Sequence, residues 1–106
     1  MTSLLVKGFP MEKIIAARRL LMTVNLEDRL GEILDIIEEA YRKKPWLLSG
    51  KSSAFLLSGL IYLVAWKNGA RLTQREITET LGITEVRIRD STRFWRDILE
   101  KSNTPS

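Results

Sequence analysis

The chain has 106 residues, 17 of them basic and 13 acidic, with neither cysteine nor histidine. That length makes one domain that buries roughly 65% of its unfolded surface. The missing residue types exclude a disulfide framework, a thiol nucleophile, a zinc ribbon and any His-based metal site or general base. The net charge of +4 is uneven: residues 1–50 carry eight basic and seven acidic groups, residues 51–106 nine and six. The mild excess in the second half favours an anionic partner. No nucleophile–base pair, phosphate loop or metal-ligand cluster is visible, so neither an enzyme nor a bound cofactor is expected.

In chain order, the brief apolar run at the start is broken by Lys7, which argues against a signal peptide. Pro10 suits the first position of a helix, and Met11, Ile14, Ile15, Arg18, Leu21 and Met22 follow at helical spacing. Asn25 is read as the cap of a second helix, with Glu27 and Asp28 in its first turn. Leu26, Leu30, Ile33, Leu34, Ile37 and Tyr41 form its apolar stripe. Arg42, Lys43 and Lys44 complement the dipole at its end, and Pro45 closes it.

Residues 46–53, WLLSGKSS, read as a connecting loop that carries Trp46. Residues 54–66, AFLLSGLIYLVAW, are apolar on all sides, as in a helix surrounded by others. The run is too short to span a membrane. Its Ser58 and Gly59 allow a neighbouring helix to come close. Trp66 and Trp95 are expected in the core. Asn68 and Gly69 make a turn, and SNTPS, residues 102–106, reads as a disordered tail.

Between that turn and the tail lies a helix-turn-helix, at 73–100. Thr73 and Glu76 form a capping box, so its first helix starts at Gln74, with Ile77 and Leu81 inward. Gly82 ends that helix, Ile83 anchors the turn, Thr84 caps the next helix and Glu85 complements its N-terminal dipole. Ile88, Thr92, Trp95 and Leu99 face the core. At about 100° per residue, Val86 lies roughly 160° around from Ile88 and points outward beside Arg89, Asp90 and Arg93. The first turns of a recognition helix reach base edges. A valine there touches a thymine methyl, and Arg89 suits guanine O6 and N7. Arg75, Arg87, Arg93 and Arg96 suit phosphates or groove walls. The same geometry also serves as a packing unit in modules that bind only protein, and a lone exposed valine is common. The expectation is an all-α fold of five helices, the third buried at the centre.

Residues 50–91 resemble the second cyclin-like repeat of the general transcription initiation factor B family, archaeal factor B and eukaryotic factor IIB. The matching pieces are Gly-Lys-Ser at 50–52, Ile-Tyr at 61–62, Thr-Gln-Arg-Glu-Ile at 73–77 and Thr-Glu-Val-x-Ile-Arg at 84–89. Over residues 10–45 the likeness is architectural only. The resemblance implies that residues 1–106 form a single cyclin-like repeat whose last helix enters the major groove beside a TATA box and reads the B-recognition element. Val86, Arg87 and Arg89 match the reading positions, and Gln74 and Arg75 match residues near the DNA backbone. With Thr84 and Arg93 they make the expected DNA-contacting set. The setting it implies is the cytoplasm of an archaeal or archaeal-virus-infected cell.

The departures from that family set further expectations. Its members carry a zinc ribbon, a polymerase-entering loop and two cyclin-like repeats. One repeat without cysteine is not expected to recruit RNA polymerase in the usual way, and binding of TATA-binding protein is in doubt. Arg87 stands where a small polar residue is usual, Asp90 where a neutral one is common, and Ser53 where proline follows Gly-Lys-Ser. Asp90 should repel phosphate unless Arg87 or Arg93 pairs with it. Phe55, Leu56 and Leu57 make the central helix bulkier than the family's, either covering a surface left by a missing repeat or forming a homodimer face. A protein-interaction module, or a competitor of the full-length factor, is the alternative function. Trp46 is its candidate contact.

Overall fold

The computed structural model describes residues 8–103. Apolar residues at helical spacing wind Met11–Met22 into α1, which buries Ala17, Leu20 and Leu21. The buried face differs from the expected stripe: Met11, Ile15 and Met22 are half exposed. Pro10 caps α1 from an extended conformation, at φ −67° and ψ 125°, and is not its first helical residue.

Asn25 does not cap a second helix. It takes φ +59°, and its N–H bonds the Met22 carbonyl while Leu26 N–H reaches back to Leu21 at 2.8 Å. Those two bonds make the left-handed closure of α1, a position asparagine tolerates better than most residues. A 3₁₀ turn at Glu27–Arg29 then leads into α2, Leu30–Lys43. Ile33, Leu34 and Ile37 are its buried face. Its basic end does more than complement the dipole: Arg42 and Lys43 both pair with Glu39. The Arg42 hydrogen bond, followed by the two positive charges, holds the Glu39 carboxyl below its ordinary range.

The expected loop at 46–53 opens instead with a short helix, α3, Pro45–Leu48. Pro45 therefore both ends α2 and starts α3, because its fixed φ suits a first helical position. Leu48 is buried while Trp46 stays 67% exposed. The central helix, α4, spans Ser53–Lys67, and Ser52 caps it by accepting from the Phe55 N–H at 3.1 Å. Ten of its residues are buried, so it runs through the middle of the fold as expected. Trp66 corrects that expectation at one point. It is 73% exposed, although the adjacent Ala65 is buried, so it faces outward from the last turn of α4.

The last two helices are α5, Gln74–Leu81, and α6, Glu85–Asn103. Six α-helices thus stand among the described residues where five were expected, the extra one being the four-residue α3. The all-α expectation holds. α6 continues through positions 102 and 103, which the sequence alone assigns to the tail, and residues 104–106 lie outside the described residues.

Candidate nucleic-acid interface

The helix-turn-helix follows its local signals closely. Thr73 Oγ1 accepts from the Glu76 N–H at 3.1 Å while the Glu76 carboxylate accepts from the Thr73 N–H. Gly82 takes φ +66°, where a side chain would be strained, and its N–H bonds the Thr78 carbonyl at 2.9 Å. Thr84 Oγ1 accepts from the Arg87 N–H at 3.2 Å and so caps α6. Lys13, from α1, donates to the Leu81 carbonyl at 3.0 Å and satisfies an acceptor at the end of α5.

α6 is held against α4 by an unusually close crossing. The Ser91 hydroxyl donates to the Phe55 carbonyl and accepts from the Gly59 N–H at 3.1 Å. A Cβ on Gly59 would lie 2.6 Å from the Ser91 carbonyl carbon, so only glycine permits this approach. One turn further along α6, the fully buried Trp95 donates from Nε1 to the Leu56 carbonyl at 2.9 Å. Ile88 and Thr92 complete the buried face. The inner side of α6 is therefore pinned by directional bonds as well as by apolar contact.

The outer side follows by helical geometry. Val86 is 57% exposed and lies opposite the buried face. At about 100° per residue, Arg89, Arg93 and Arg96 fall roughly 20–80° to one side of it. Asp90 and Asp97 fall roughly 20–40° to the other side. All five are exposed, and among the described residues none forms an ion pair within 4.0 Å. The first turns of α6 thus present a valine between an arginine flank and an acidic one.

The expected contact residues are not all brought onto that face. Val86, Arg89 and Arg93 share it. Arg87 does not: its guanidinium lies over the Phe55 ring, 4.6 Å from the centroid. Lys51 joins the same cluster, with Nζ 5.4 Å from Phe55 and 5.6 Å from Phe94. The two phenylalanines meet edge to face at 5.7 Å. Thr84 acts as a cap, Gln74 is half-buried at the start of α5, and the exposed Arg75 pairs with Glu79 at 3.6 Å. Arg87, Lys51, Phe55 and Phe94 line a shallow depression with Asp90, Arg93 and Asp97. Sequence reasoning missed Lys51 and Phe55 at this site. Their i, i+4 spacing was available, but the partner helix was not.

Comparison with known proteins bears on what such a surface is. The sequence profile of the transcription factor TFIIB repeat matches residues 18–95. The chain belongs to the TFIIB repeat family. Transcription initiation factor IIB 1 of Thermococcus kodakarensis is 37% identical over 70 residues, covering 66% of this chain and 22% of that protein. Transcription initiation factor IIB of Pyrodictium occultum is 36% identical over 93 residues, covering 88% and 27%. That of Sulfurisphaera tokodaii is 44% identical over 57 residues, covering 54% and 18%. The chain therefore spans about a fifth to a quarter of the length of these curated relatives. No solved structure matches. The all-α fold is that of a cyclin-like TFIIB repeat, and the relatives are named as transcription initiation factors, not as enzymes.

Proposed function

We propose that this TFIIB repeat binds duplex promoter DNA by laying the first turns of α6 in the major groove, where Val86 and Arg89 read a B-recognition element. One observation carries this proposal. The outward face of α6 presents an exposed valine beside three arginines that form no ion pair among the described residues, while its inner face is bonded to α4. A base-reading helix needs both, since its side chains discriminate only if the helix is held at a defined depth. Arg93 and Arg96 supply phosphate contacts, and Thr84 and Gln74 offer polar groups at the helix starts. Arg75 reaches phosphate after exchanging its partner Glu79. Arg87, held on Phe55, braces the start of α6 and adds positive charge beside the groove. The relatives' name, transcription initiation factor, supports promoter DNA as the duplex, and the cytoplasm of an archaeal cell is the setting of this proposal. TATA-binding protein is a second component for the assay.

The test is fluorescence anisotropy at two salt concentrations. A duplex carrying a B-recognition element and TATA box is compared with a scrambled one, with and without TATA-binding protein. Arg89→Ala costs roughly 1–3 kcal/mol on the preferred duplex only. Arg93→Ala weakens every duplex alike and lowers the salt slope by about 1. Unchanged affinity in both variants would refute the proposal.

The exposed indoles of Trp46 and Trp66 favour a second reading, a protein-binding module or a competitor that occupies promoters without recruiting RNA polymerase. Under that reading Trp46→Ala abolishes partner binding while leaving stability unchanged. A variant that keeps its partners removes Trp46 from this role.

A further inference from the structure

Asp90 shares the outward face of α6 with Val86 and Arg89, in the part of the helix that would meet base edges. A carboxylate there is repelled by phosphate and by most of the groove's acceptors. We propose that Asp90 is itself a base-reading residue, selecting cytosine by accepting a hydrogen bond from its exocyclic N4 amino group. The inference rests on the groove-reading role proposed for α6.

Two features of the structure leave Asp90 available. It is exposed, about 40° around the helix from Val86, on the side away from Arg89 and Arg93 and toward Arg87. Neither of the arginines three residues away holds it. Arg87 is drawn onto the Phe55 ring, and Arg93 makes no ion pair within 4.0 Å among the described residues. Phe55 of α4 thus holds the Arg87 guanidinium out of ion-pair range of Asp90, although both line the same depression.

The chemistry then narrows the base. An ionised carboxylate only accepts hydrogen bonds. Guanine N7 and O6 and thymine O4 are acceptors and repel it, which leaves the amino groups of adenine and cytosine. Adenine N6 sits beside the N7 acceptor, whereas cytosine N4 is flanked on its own base by a carbon-bound hydrogen. Cytosine is therefore the favoured partner. Arg89 and Asp90 differ by about 1.5 Å along the helix axis, against roughly 3.4 Å between stacked bases. The cytosine lies within one or two base pairs of the guanine taken by Arg89.

Asp97 provides a matched control. It has the same charge on the same flank but lies about 10 Å further along the axis, beyond the turns that reach base edges. The experiment selects preferred duplexes from a randomised pool with the full chain. It then measures affinity for all four bases at each position with wild type, Asp90→Ala, Asp97→Ala and Arg89→Ala. Circular dichroism confirms that each variant folds. Wild type is expected to prefer cytosine at one position roughly ten- to a hundredfold. Asp90→Ala loses that preference and keeps the others, while Asp97→Ala tightens binding to every duplex alike. An Asp90→Ala protein that also tightens uniformly, with all preferences intact, would overturn the inference but not the groove-reading role, because Arg89→Ala would still lose its guanine. A wild type without any Arg89-dependent preference would overturn both.

Discussion

Gly59→Ala isolates the contact that sets the position of α6. The added Cβ would stand 2.6 Å from the Ser91 carbonyl carbon and 2.7 Å from its oxygen. Ordinary contact begins at 3.4 Å, so the two helices must part by about 0.8 Å. Parting by that amount takes the Gly59 N–H to Ser91 Oγ bond, now 3.1 Å, beyond hydrogen-bond reach. The lost bond costs about 1 kcal/mol and the overpacking about 1–3 kcal/mol. Alanine returns about 1 kcal/mol through its better helix propensity. The net is a destabilisation of about 1–3 kcal/mol, which for a domain of this size lowers Tm by roughly 5–20 °C. Urea and thermal unfolding followed by circular dichroism measure it. A second variant, Ser91→Gly with Gly59→Ala, must not restore stability, because the Ser91 carbonyl group still obstructs the added Cβ once the hydroxyl, which it also meets, is gone. If Gly59→Ala is as stable as wild type or more so, helix propensity outweighs the crossing and the packing argument is wrong.

Other substitutions test separate parts of the structure. Thr84→Ala removes the cap of α6 and should cost about 1 kcal/mol in urea unfolding, with Thr84→Ser restoring most of it. Trp95→Phe removes the indole bond to the Leu56 carbonyl and opens space in the core, so about 2–4 kcal/mol should be lost in the same assay. Trp66→Ala, by contrast, should change stability by less than about 0.5 kcal/mol. A large loss there would mean that Trp66 has a packing partner in solution.

Signals confined to one turn of chain were legible in the sequence. The capping box at Thr73 and Glu76, the left-handed Gly82 and the Thr84 cap all depend on residues within four of each other, and all three appear as expected. The outward direction of Val86 was legible for the same reason, because helical phase fixes it once Ile88 is inward. Ambiguity arose where one residue type serves two ends. Asparagine favours both helix starts and left-handed helix ends, and the bond from Leu26 to Leu21 decides for the second at Asn25. Pro45 stops one helix and begins another. Trp66 is misread because α4 is apolar all round, which leaves no phase to show which of its residues faces outward. The cation cluster over Phe55 was invisible, since it joins side chains 32 residues apart in sequence (Arg87 and Phe55) that only the helix crossing brings together.

The Gly59–Ser91 crossing also divides α6 into two sides that tolerate change differently. Its bonds run between backbone atoms and one small hydroxyl, so the bearing of the helix does not depend on the size or charge of anything on the opposite side. Positions 86, 89, 90 and 93 can then be exchanged in combination without shifting the scaffold beneath them. The repeat is in this sense a mount with replaceable teeth. A library randomised at those four positions should yield folded proteins with altered duplex preferences, whereas substitutions at positions 59 and 91 should move every tooth at once.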